Sequence, residues 1–167
     1  MKFGVNIIGR IKAVSVSETK GVKKRNVSSV NLVENFGIQG DAHAGKWHRQ
    51  LSLLADESID KIRHKGLAVS AGDFAENITT EGVCLWELPI GYRFKLGREA
   101  IVEVTQIGKE CHKRCAIFQQ VGDCVMPREG IFTKVLKGGS IRPGDNIAAV
   151  SYHSVDTRKG YPDAPNR

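Results

Sequence analysis

The sequence has no apolar run approaching the roughly 20 residues that a membrane-spanning helix requires, so no transmembrane helix and no membrane partner are expected. Aromatic residues make up only 7% of the chain, and the single cationic run, Lys23-Lys24-Arg25, carries none between its charges. That argues against a nucleic-acid partner and marks the run as a solvated loop face. The opening stretch Met1–Ile8 is too short for a secretory leader and is followed at once by Arg10 and Lys12. The expected compartment is therefore the cytoplasm, where the four cysteines, at 84, 111, 115 and 124, stay reduced. This favours reactive or metal-binding thiols over structural disulfides. No internal repeat or low-complexity tract is present.

With 167 residues, 41% hydrophobic and 26% charged, the chain is long enough for one domain with a sizeable core. That domain is expected over 1–151. Residues 152–167, with Pro162, Pro165 and no apolar period, are expected to form a surface or frayed tail. The net charge of +7 points to a small anionic cofactor or substrate as partner. Strands are predicted over 7–17, 26–34, 50–55, 75–80, 92–96, 100–106, 131–137 and 146–150 from their β-branched alternation and Gly-rich boundaries. One helix is predicted from Asp56, as N-cap, to Gly66, with acidic residues early and Lys61, Arg63, His64 and Lys65 late. A short helix is predicted at 115–121. The fold class is mainly β, a closed or partly open barrel of short strands with a few small helices.

The densest chemistry lies in Gly108-Lys-Glu-Cys-His-Lys-Arg-Cys115. Only a thiolate attacks, carries sulfur or ligates metal, and nearby cations lower a thiol's pKa. Lys109, Lys113, Arg114 and His112 outnumber Glu110, so Cys111 is the first candidate nucleophile. The competing reading is a pair of buried small hydrophobes in a basic turn. The spacing of Cys111, Cys115 and Cys124 is not a standard zinc pattern.

Two further segments stand out. In Gly40-Asp-Ala-His-Ala-Gly45, glycines permit close backbone approach, and Asp41 can orient His43, which moves protons near neutral pH. The alternative there is a turn with a local Asp41 bond. In Ala71-Gly-Asp-Phe-Ala-Glu-Asn77, three polar side chains, Asp73, Glu76 and Asn77, surround one aromatic. The alternative is a turn with Phe74 buried and Glu76 in solvent.

In this order, Gly40-Asp41-x-His43, Gly72-Asp73-Phe74-x-Glu76-Asn77 and a cysteine following the strand at 102–106 resemble the MOSC domain, the C-terminal domain of the molybdenum cofactor sulfurases. Leu88-Pro-Ile-Gly91, Leu96-Gly97 and Arg142-Pro-Gly-Asp145 fit as well, so the resemblance spans roughly residues 8 to 150. It implies a standalone MOSC β-barrel that handles the molybdenum cofactor (molybdopterin). Cys111 matches the family's cysteine, as molybdenum ligand or sulfur carrier, and Asp41 and His43 complete the catalytic set. Gly40, Asp73, Glu76 and Asn77 fall on the cofactor-binding motifs. Lys46, Arg49, Lys109 and Arg114, cations beside the histidine and thiol motifs, are candidate contacts for a pterin phosphate. Glu110 stands where many members have proline. The resemblance is compatible with sulfur transfer from a sulfur-donor protein and with molybdenum-dependent reduction of N-hydroxylated compounds. No pyridoxal phosphate is expected, because 167 residues leave no room for a desulfurase domain. The alternative function is a non-catalytic barrel that binds an anionic ligand or a protein partner.

Overall fold

A computed structural model describes residues 5–109 and 116–150. In chain order its elements are β1 (Ile7–Val16), β2 (Arg25–Val27), β3 (Val30–Val33), β4 (Gly37–Ile38), β5 (Leu51–Ala55), α1 (Asp56–Arg63), β6 (Ile78–Glu81), a 3-10 turn (Leu85–Glu87), β7 (Arg93–Leu96), β8 (Ala100–Ile107), α2 (Ala116–Val121), α3 (Met126–Glu129), β9 (Ile131–Lys137), β10 (Gly139–Ile141) and β11 (Asn146–Ala149). Seven strands close on themselves in the order β11, β7, β8, β9, β5, β6, β1, because β1 also pairs with β11. β2 extends β1, and β10, β3 and β4 form a separate small sheet. The fold is therefore mainly β, a closed mixed barrel with small helices.

The barrel interior holds Ile11, Val14, Leu51, Leu53, Ala55, Ile78, Phe94, Leu96, Val102, Val104, Ile131 and Val135, with other residues of the same cluster. The pleat puts alternate residues inside. A second core lies outside the barrel wall and gathers Leu54, Phe74, Ile117, Val125, Met126 and Phe132 with Ile59 and Ile62 of α1. β5 serves both cores. Leu51 and Leu53 point inward, Leu54 points outward, and all five of its residues are buried. Its leucine-rich sequence thus fits a strand covered on both faces. β5 and β6 form the one parallel pair among the described strands, and α1 makes the crossover between them.

Several expected elements need correction. The stretch 26–34 is not one strand but two, β2 and β3, which join different sheets. The stretch at 75–80 starts as a strand only at Ile78, with Glu76 bonded back to the Gly72 amide and the Asn77 side chain bonded to Ser52 and Ser15. Asp56 is not the N-cap of α1. Ala55 holds that position without a side-chain cap, and Asp56 instead accepts from Lys12 Nζ and, at 3.0 Å, from Arg63. Competition from two cations outweighed the local capping preference. Lys24 is not solvated, and its side chain is 0% exposed. The terminal segment 152–167 lies outside the described residues.

Two glycines are obligatory for position as well as for backbone angle. Gly72 has φ +92, and a Cβ there would sit 2.2 Å from the Lys24 carbonyl oxygen. Gly108 has φ +76, and a Cβ would meet the Pro127 carbonyl oxygen at 2.3 Å. Both clashes are with backbone, which cannot rotate away. Replacing Gly72 by Ala is expected to lower unfolding stability by at least about 2 kcal/mol. Urea denaturation checks this, and a change below about 0.5 kcal/mol would contradict the packing described.

Candidate functional site

Ser15, near the end of β1, and Ser17, just beyond it, are where both candidate loops attach. The first loop follows β4. Its Gly40 has φ +87 and is exposed, so the residue is needed for the backbone angle alone. Asp41 turns back into the protein with a side chain 0% exposed. Its Oδ1 accepts from Lys24 Nζ at 2.8 Å and from the Ser17 amide at 3.0 Å. Its Oδ2 accepts from the His43 amide at 3.0 Å. Lys24 Nζ also donates to Ser17 Oγ at 2.8 Å, and that hydroxyl donates to the Thr19 carbonyl. The local Asp41 bond of the turn reading is present, but as one of several.

Burial acts to raise the Asp41 carboxyl. The His43 ring, the Lys24 ammonium and the Ser17 and His43 amides outweigh it and hold the group well below the usual carboxylate range. His43 Nδ1 lies 3.7 Å from Asp41 Oδ2, which is attraction at a distance rather than a hydrogen bond. That nitrogen is buried and has no hydrogen-bond partner among the described residues. The Trp47 indole donates to the His43 carbonyl at 2.8 Å, and Lys20 Nζ lies 4.8 Å over the Trp47 ring. The turn is therefore pinned at both ends.

The second loop is the Gly72–Asn77 segment. Glu76 is 0% exposed, contrary to the solvated alternative, while Phe74 is buried. Glu76 Oε1 accepts from the Gly72 amide and, at 3.0 Å, from Thr79 Oγ1; Oε2 accepts from the Phe74 amide at 3.1 Å. Burial pushes its carboxyl up against these donors. Asn77 Oδ1 accepts from the Ser52 amide at 3.1 Å, and its Nδ2 donates to the Ser15 carbonyl at 3.2 Å. Asn77 thus stitches β5 to β1. Asp73 accepts from the Ser70 amide at 3.0 Å and has Lys23 Nζ at 3.9 Å. Glu76 and Asn77 have no exposed surface, so their visible work is to shape the loop. The two loops are joined through Lys24, whose amide donates to the Gly72 carbonyl at 2.9 Å while its ammonium holds Asp41.

The first loop continues to the end of β8. His48 Nε2 lies 3.1 Å from Gln106 Oε1, and Arg49 Nε donates to that oxygen at 3.0 Å. The Arg49 guanidinium carbon lies 5.2 Å over the Phe132 ring, and its terminal nitrogens have no hydrogen-bond partner among the described residues. Thr105 Oγ1 donates to the His48 carbonyl. Gln106 Nε2 donates to the Gly108 carbonyl at 2.8 Å, and the Gly108 amide donates to the Gly130 carbonyl at 2.7 Å. Lys109 is half-buried just beyond, and Lys46 is exposed. Cys111 and Arg114, the remaining candidates, lie outside the described residues.

The chain matches the model of the MOSC domain over residues 40–148, from the glycine before Asp41 into the last barrel strand. It belongs to the MOSC domain family. Solved structures with the same fold include YuaD from Bacillus subtilis, with a TM-score of 0.71 and 17% identity, covering 86% of this chain and 97% of that one. YiiM from Geobacillus stearothermophilus aligns with a TM-score of 0.59 and 22% identity over 89% of this chain and 76% of that one. YiiM from Escherichia coli gives 0.59 and 19% over 85% and 70%. No curated protein matches the sequence. At these identities the structures establish the fold. Among the described residues of this MOSC protein, no cluster of three His, Cys, Asp or Glu side chains is placed to hold a metal ion, and no helix is long and apolar enough to cross a membrane.

Lys24 is the member of the site that motif reading overlooked. It precedes the matched region, and its charged neighbours Lys23 and Arg25 disguise it as surface. The available signal was weak: one cation of the run must pair with a buried carboxylate, and nothing local says which.

Because the folded Asp41 carboxyl is depressed, its stabilising contribution is fully present above the unfolded value of about 3.9. It is lost as pH falls toward the folded value. Lys24→Met, which strands that carboxylate, should cost about 3–5 kcal/mol near neutrality. Asp41→Asn should flatten the part of the acid limb that Asp41 controls. Chemical denaturation from about pH 6 to pH 3 reads both effects, and a variant with the wild-type acid slope would show that the buried pair does not contribute.

Proposed function

We propose that this MOSC protein binds the molybdenum cofactor, or carries sulfur for it, through the Cys111 thiol. The observation that carries the reading is the clamp of His48 and Arg49 onto Thr105 and Gln106. It fastens the loop of Asp41 and His43 to the strand that precedes the thiol segment in sequence. The residues present fit a phosphate-bearing pterin. Arg49 has terminal nitrogens without a hydrogen-bond partner among the described residues, Lys109 is half-buried beside the same strand end, and His43 lies on the loop that Arg49 fastens. Arg49, Lys109 and Arg114 would hold the phosphate, with Lys46 as an outer point charge. Gly40 and Asp73 would line the approach, and Glu76 and Asn77 would keep the second loop in shape. Cys111 would ligate the molybdenum.

When bound, the cofactor supplies a redox-active metal and a site for sulfur. In the carrier form, the Cys111 thiolate attacks the outer sulfur of a donor persulfide and releases the donor's thiolate. A nucleophilic acceptor attacking the outer sulfur of the Cys111 persulfide would take that sulfur and release Cys111 as its thiolate. In the reductase form, the substrate would be an N-hydroxylated compound. The cytoplasm, with its reduced thiols, is the compartment in which either form would work, and the donor would be a sulfur-carrying protein.

Cys84 supports the choice of thiol from the other side. Burial, followed by the neighbouring Glu87, pushes its thiol up, and Cys124 is buried. Peptide-resolved alkylation against pH should therefore find Cys111 reacting ahead of both, and Cys84 or Cys124 reacting first would remove the assignment. Anaerobic purification from a molybdenum-replete host, followed by metal and pterin analysis, tests the cofactor. Cys111→Ser should lose bound molybdenum, and Arg49→Gln should weaken a phosphate-bearing pterin by about 1–3 kcal/mol. A metal-free and pterin-free protein with ordinary thiol reactivity would instead leave a non-catalytic barrel that binds an anionic ligand or a partner.

A further inference from the structure

His43 Nδ1 is buried, lacks a hydrogen-bond partner among the described residues, and has Asp41 Oδ2 at 3.7 Å. A ring nitrogen in that position presents either an N–H or a lone pair to the carboxylate. Asp41 is ionised, because Lys24 Nζ at 2.8 Å and two backbone amides stabilise its charge. A lone pair facing that oxygen would be repelled, while an N–H is attracted, and burial removes the water that would screen the difference. We propose that the Lys24–Asp41 pair locks neutral His43 in the tautomer with the proton on Nδ1, leaving Nε2 as an unprotonated acceptor.

Nε2 has no hydrogen-bond partner among the described residues, and the side chain retains 14% exposure. The arrangement follows the general rule that the bond made by one imidazole nitrogen sets the role of the other. In it Lys24 is a positioning residue. It touches no ligand group but orders the Asp41 oxygens so that Oδ1 is spent on Lys24 and Ser17 and Oδ2 is left to His43. Gly72 enters the same device, because its carbonyl fixes the Lys24 backbone. The use of Nε2 as proton acceptor for the thiol or for a bound substrate rests on the function proposed above. The tautomer does not, since it follows from the protein's own groups.

The test is the 15N signature of the His43 ring in the cofactor-free protein, recorded by two-dimensional NMR above the pH at which the ring is neutral. The expected result is a protonated Nδ1 and a bare Nε2. Asp41→Asn removes the negative charge that favours a proton on Nδ1, so the single Nδ1-protonated signature should be lost. Lys24→Met should lose the single-tautomer signature and Lys24→Arg should keep it. Should Lys24→Met fail to fold, Asp41→Asn with Lys24 intact decides the matter. A wild-type ring protonated on Nε2, or a signature unchanged by Asp41→Asn, overturns the proposal. Because no cofactor is present, failure here is distinct from failure to find molybdenum or pterin in the purified protein.

Discussion

A salt bridge with no solvent exposure on either side chain, Lys24 to Asp41, is the constraint around which the rest is arranged. Removing two charges from water costs several kcal/mol per ion unless their contact is close and their remaining hydrogen-bonding capacity is met. Here both conditions hold. Asp41 receives the ammonium and two amides, and the ammonium also reaches Ser17. Each of these groups must keep its place for the pair to be tolerated. The pair thereby dictates the path of the loop after β4, the end of β1 and the segment around Gly72. Its contribution to the site lies in order more than in net stability.

The two-core architecture explains how such a pair sits beside chemistry. The barrel interior is packed with apolar side chains, so a site for a charged ligand belongs on its rim or outer wall. The outer core of α1, α2 and α3 over β5 and β9 supplies a second rigid wall, with Phe74 delivering the second loop into it. Phe132 belongs to the same core and carries the Arg49 guanidinium on its ring. A cation held this way keeps its charge and forfeits its rotamer freedom, as a phosphate contact requires.

Much of the barrel was legible in the chain. The alternation of Ile101-Val-Glu-Val-Thr105 and the turn at Gly97 define β7 and β8, and the predicted 131–137 matches β9. Short elements escaped. β4 and β10 are too brief for a period to show, and α3 hides behind Pro127. The break between β2 and β3 was hidden because Val27, Val30, Leu32 and Val33 read as one apolar run, although the strands pair in different sheets. The three motifs marked the right loops, but their residue types did not separate ligand contacts from internal struts. Glu76 and Asn77 look like binding groups in one dimension and are fully buried in three.

The sequence by itself determined the family, the mainly β architecture, the thiol segment and the pair of Gly-rich loops. These follow from local periodicity and from residue order, which neighbours along the chain carry. Only the tertiary structure decided that Lys24, rather than Lys23 or Arg25, is the buried cation, that Asp56 serves Lys12 and Arg63 instead of a helix end, and that the Asp41 loop is tied to the end of β8. The physical reason is that desolvation and charge pairing depend on what surrounds a group from every side, and those surroundings are assembled from residues far apart in the chain.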